Sequence, residues 1–168
     1  MDSQAFTLFH VVISLIGIAS GLVVLYGLLT ANRMAGMTLV FLVTTIATSV
    51  TGFFFHRDHI MPSHIVGIIS LAVLALTTFA LYSGRLRGFW RPVYVIGAIV
   101  SLYLNVFVLV VQSFLKVPML HALAPNGSEP PFAIAQGIVL VLFIVLGVFA
   151  VKRFHPSMVD GNLARSGA

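Results

Sequence analysis

The chain has 168 residues, of which 60% are hydrophobic and only 8% charged, with a mean hydropathy of +1.11. A soluble domain carries about 25% charged residues, so this composition excludes a water-exposed globule and points to a bilayer as solvent. With no cysteine there is no disulfide, thiolate metal site or cysteine nucleophile. The net charge of +5 lies in short segments between apolar runs, where it sets topology and attracts anionic lipid rather than nucleic acid.

A helix crosses the hydrocarbon with about 20 mainly apolar residues. Five stretches meet that length, and they predict an all-α bundle of five transmembrane helices over residues 6–29, 37–55, 65–82, 93–114 and 133–151. The first carries no Lys or Arg before Arg33 and is too long for a signal core, so it reads as a retained span. Within it, His10, Ser14, Gly17 and Gly21 fall at i, i+4, i+7 and i+11 on one stripe. Gly17 and Gly21 form a GxxxG pair, which lets another backbone approach, so the stripe is expected to face other helices.

The second span is the most polar, and Thr44, Thr48 and Thr51 share a helical face at i, i+4 and i+7. The link that follows, FFFHRDHIMPSH, holds His56, His59 and His64 with Asp58 and Met61. Pro62 punctuates the return, and Ser63 is a candidate cap for the third span. His56 and His59 would share a face if the second helix ran one turn further out.

FWRP, from Phe89 to Pro92, opens the fourth span, where Trp90 and Arg91 are expected as headgroup anchors; Lys152 and Arg153 take that place at the end of the fifth. Asn105 and Gln112 recur at i, i+7 in the fourth span, and Gln136 enters the fifth. These amides and the threonines either bond across the bundle or line a polar cavity. Pro118, Pro125, Pro130 and Pro131 break up the long link at 115–132, which contains Met119, His121 and Glu129.

Seven of the nine Lys and Arg residues lie on one side of these spans, with Arg57 and Lys116 on the other. The positive-inside rule then predicts an N-terminus outside and a C-terminus in the cytoplasm, with residues 1–155 forming one membrane domain and 156–168 a flexible tail. His10, His56, His59, His64 and His121 thereby share the outer face, which makes them candidate ligands for haem b, copper or zinc. Asp58 and Glu129 are candidate acceptors behind them, and Met61 and Met119 soft neighbours that suit copper.

The segment PSHIVGIISLAVLALTTFALYSGRLRGFWRPVYVIGAI, residues 62–99, resembles small bacterial multi-pass membrane proteins in which a histidine opens one span and a basic link precedes the next. Some of these are compared with transmembrane b-type cytochromes. The resemblance covers about a quarter of the chain and maps His64 onto the opening histidine, while Trp90 and Arg91 stand where many such proteins have His-Arg. It implies a bacterial inner membrane.

Three functions follow as expectations: an accessory or assembly subunit without chemistry of its own, a haem- or metal-binding redox subunit, and a carrier for a small neutral or lipid-like molecule. The first is favoured, because the chain has no nucleophile-base pair, phosphate loop or charge deep in a span. Its partners would be the bilayer and another membrane protein or a second copy.

Overall fold

The computed structural model describes residues 4–55 and 62–155. They are 83% helical, with no strand among them. Five long helices are apolar enough to cross a membrane: α1 (Gln4–Leu29), α2 (Ala35–Gly52), α3 (Pro62–Tyr82), α4 (Trp90–Lys116) and α6 (Pro130–Arg153). A sixth, α5 (Pro118–Leu123), is a short piece between α4 and α6.

The expected spans correspond to these helices, with ends adjusted by local chemistry. Helix α2 begins two residues early and stops at Gly52, followed by a turn at Phe53–Phe55. It therefore does not run the extra turn that would have carried it toward His56 and His59. The Phe53 and Phe54 amides close back on the Val50 and Thr51 carbonyls three residues behind, tightening the helix end. At the close of α4, Val117 is extended, as the residue before a proline prefers, and Pro118 opens α5 at a position where its missing N–H costs nothing. Pro130 and Pro131 open α6 in the same way after an extended Glu129.

The α1–α2 turn is a Schellman motif built without a glycine at its left-handed position. Ala31 has φ of 56°, and the Asn32 amide donates to the Gly27 carbonyl over 2.8 Å. Gly27 is needed there, because a Cβ on it would stand 2.8 Å from the Asn32 carbonyl oxygen.

Short links make consecutive helices antiparallel neighbours, and α1 to α4 close a ring in which α4 also packs on α1. Helix α6 lies outside that ring against α4 and α1, while α5 packs on α4. Helix α4 is consequently the most buried span and α6 the least, with 39% and 11% of their most apolar stretches inside the protein. The core is filled by Phe41, Leu74, Tyr94, Val95 and Leu102, each almost wholly enclosed. Outward residues such as Leu8, Val43, Ile68 and Val141 are equally apolar, as a lipid-facing surface requires.

Two close approaches explain the register of the ring. Gly17 and Gly21 are both buried: a Cβ on Gly17 would lie 3.3 Å from the hydroxyls of Thr44 and Thr45, and one on Gly21 would lie 2.6 Å from Leu102 and 2.9 Å from the Phe41 ring. Between α3 and α4, the Thr77 side chain occupies the space that a side chain on Gly97 would need.

Candidate functional site

The bundle has two chemically distinct ends. Arg33, Arg85, Arg87, Arg91, Lys152 and Arg153 mark one; His10, His64, Lys116, His121 and Glu129 mark the other. His56, His59, Asp58 and Met61 lie outside the described residues.

His10 is the histidine most firmly built into the fold. It sits in the second turn of α1, half-buried, with its Nδ1 2.8 Å from the Thr51 hydroxyl of α2. The Thr51 hydroxyl also donates to the Ala47 carbonyl over 2.7 Å, as threonines in membrane helices do. With that hydrogen given to Ala47, Thr51 is placed to accept from an Nδ1–H of the imidazole. The lone pair on Nε2 is left for another partner. Gly52, next to Thr51, lies beside the ring, where a Cβ would stand at an ordinary contact distance of 3.8 Å from the His10 Cε1. Phe55 closes one side with an edge contact at 5.0 Å and packs in turn on Phe6 at 5.1 Å. Ser14, one turn further in, bonds back to the His10 carbonyl over 2.7 Å.

The other candidates at this end have different surroundings. His64, in the first turn of α3, pairs with the Phe53 ring at 5.8 Å, and Phe53 also covers Gly67. His121 is exposed on α5, and Met119 is 81% exposed. Glu129 uses both carboxylate oxygens within its own turn, accepting from the Asn126 amide, the Asn126 side chain and the Ser128 amide at 2.8–3.0 Å. The Asn126 amide is the main cause that holds this carboxyl below its ordinary range. Among the described residues, no three His, Asp or Glu side chains gather as a metal site would need.

The interior polar groups form a second constellation, and its register differs by one residue from the expected face. The inward positions of α2 are Thr38, Thr45 and Ser49, at i, i+7 and i+11 together with Phe41 and Leu42. Asn105 donates to Thr45 over 3.1 Å, Ser49 and Ser70 meet at 3.0 Å, and Thr38 lies 3.4 Å from the Tyr94 hydroxyl. Thr44 instead bonds its own helix at the Val40 carbonyl, and the hydroxyl of half-buried Thr48 is enclosed with no partner. Asn105 and Gln112 separate: Asn105 faces inward while Gln112 is exposed. Gln136 donates to the Phe107 carbonyl over 3.2 Å and so ties α6 to α4. Thr45 and Ser49 were readable from their i, i+4 spacing with Phe41 and Leu42, a pattern that competes with the Thr44 face.

At the arginine end, Trp90 packs on Phe79 at 5.0 Å and on Phe89 at 6.2 Å. Arg91 does more than sit at the boundary. Its guanidinium donates to the Phe154 carbonyl over 2.6 Å and the Val151 carbonyl over 3.1 Å, taking up acceptors that the end of α6 leaves unpaired. Lys152 is exposed, and Arg153 lies over the Phe149 ring at 5.8 Å. No family model, curated protein or solved structure matches the chain, so the reading of the site rests on its own chemistry.

Proposed function

We propose that the chain is an accessory or assembly subunit of a bacterial inner membrane, with no chemistry of its own, that works by presenting a stable helical surface to another membrane protein or a second copy. The observation that supports this reading is how the interior polar groups are used. Asn105, Ser49, Ser70 and Gln136 each link one span to another, and fully enclosed Phe41, Leu74 and Leu102 fill the space around them. A carrier needs those groups turned toward a cavity, whereas here they hold helices together. No acidic or basic side chain lies in the middle of any span, which removes the usual relay for protons or ions. The test is photo-crosslinking in native membranes from a reactive residue placed at Val141 of α6, an exposed position on the least buried span. A discrete protein adduct supports the reading. Transport or turnover by the purified chain reconstituted alone would contradict it.

A second reading, a haem- or metal-binding redox subunit, is favoured by one observation: the Thr51 hydroxyl lies 2.8 Å from His10 Nδ1, so that with the proton on Nδ1 the Nε2 lone pair is a ligand. A hydroxyl or carbonyl behind an imidazole is how proteins orient such ligands. This reading expects a Soret band, or near-stoichiometric copper or zinc, that His10→Ala abolishes in protein purified without chelators. Wild-type protein with neither would sink it.

A further inference from the structure

The arginine end contains a recess that packing does not use. It is a cleft of about 50 Å³ between the start of α2 and the end of α3, lined by Arg33, Ala35, Thr38, Leu81 and Tyr82. At ~10–15 Å³ for each water it has room for about three to five, on the scale of the five heavy atoms of a phosphate group. Its polar lining is rich in donors. Arg33 brings a forked guanidinium, Tyr82 a half-exposed phenol and Thr38 a buried hydroxyl, with Leu81 as a buried apolar wall. The acid nearest in kind, Glu129, is the sole carboxylate among the described residues and lies at the opposite end. Arg85, Arg87, Lys152 and Arg153 add positive potential at the same end, all exposed.

Position selects the source of the phosphate. The cleft lies where α2 begins and α3 ends, the level of lipid headgroups for spans of this length. Beside it the outward faces of the same two helices, Leu39 and Val43 on α2 and Leu76 and Phe79 on α3, are about half exposed and apolar, suited to an acyl chain. No side chain caps α2, and the space around Gly36 in its first turn is open.

We propose that this cleft is a phosphate site that holds the phosphodiester of an anionic phospholipid, with Arg33 donating two parallel hydrogen bonds to its non-bridging oxygens and Tyr82 and Thr38 donating to the same group. The proposal is separate from the accessory reading and survives its failure. It differs from general attraction of a positive surface to anionic lipid in assigning the effect to Arg33 rather than to all basic residues equally.

Native mass spectrometry of the full chain in detergent, titrated with phosphatidylglycerol or phosphatidylcholine, tests it. The wild type should retain phosphatidylglycerol in preference, and Arg33→Ala should weaken that retention about tenfold, the scale of losing a charge-assisted pair. Arg33→Lys, which keeps the charge but not the fork, should fall between, and Tyr82→Phe should also weaken binding. Arg85→Ala, which removes equal charge at the same end, should stay near the wild type. Circular dichroism checks that each variant keeps its helix content, and Arg33→Lys serves if Arg33→Ala does not fold. Equal losses in Arg33→Ala and Arg85→Ala, or no preference for phosphatidylglycerol, would overturn the site. Displacement of the lipid by millimolar inorganic phosphate would overturn its assignment to lipid.

Discussion

At the scale of single residues, most interior polar groups are matched to a partner within reach, while the Thr48, Thr78 and Ser101 hydroxyls are buried without one. His10 lies far enough into α1 to need a hydrogen bond, and Thr51 supplies it across the α1–α2 interface. Replacing Thr51 with valine removes the acceptor for Nδ1–H; nitrogen NMR of the ring should then change from one tautomer to a mixture, and an unchanged spectrum would remove Thr51 from the account. Ala31 pays for a left-handed conformation that glycine adopts freely. Ala31→Gly is expected to stabilise the protein by about 1 kcal/mol in thermal unfolding. Glu129 gives a pH dependence of known sign. Its folded carboxyl is held below its ordinary range, so the stabilisation of the turn is present above the unfolded pKa and is lost as pH falls through the folded one. Hydrogen exchange at the Asn126 and Ser128 amides should accelerate on acidification beyond the intrinsic trend, and Glu129→Gln should abolish that difference.

At the scale of helices, close packing and end-capping contribute more than the individual polar links. A Cβ at Gly21 would enter the contact distance of Leu102 and Phe41, so Gly21→Ala should cost about 1–3 kcal/mol in unfolding by denaturant. Gly17→Ala meets its neighbours at 3.3 Å and should cost less; the reverse order would contradict this packing. Arg91→Ala leaves the last carbonyls of α6 without their cation and is expected to destabilise by about 1.5–3 kcal/mol, toward the lower end because Arg91 is partly exposed. Asn105→Leu should lose only about 0.6 kcal/mol, the usual scale of a polar link between membrane helices. Helix positions were legible in the sequence, because about 20 apolar residues between polar links leave little choice. Which face turns inward was less so. In lipid the outer face is as apolar as the core, so the Thr45 and Ser49 pattern competes on equal terms with the Thr44 face, and the bond from Asn105 to Thr45 decides between them. The capping by Arg91 was invisible for another reason: its acceptors lie 60 and 63 residues away.

For the whole molecule, the ring of α1 to α4 with α6 outside it places His10, His64 and His121 at one end and most positive charge at the other, with His155 beside the arginines. That separation follows from five long apolar helices joined by short links, whose positions were readable from the sequence before any contact was known. The convergence of side chains was not: spacing along the chain puts His10, His64 and His121 at one end, but their depth and partners come from neighbouring helices. Since the chain has no cysteine, single cysteines report on topology without background. The most direct measurement is labelling of His121→Cys and Arg85→Cys in intact cells with a membrane-impermeant maleimide. The account predicts that the cysteine at 121 reacts from outside and the one at 85 only after permeabilisation; reaction of both from the same side, or of the one at 85 alone from outside, would contradict it.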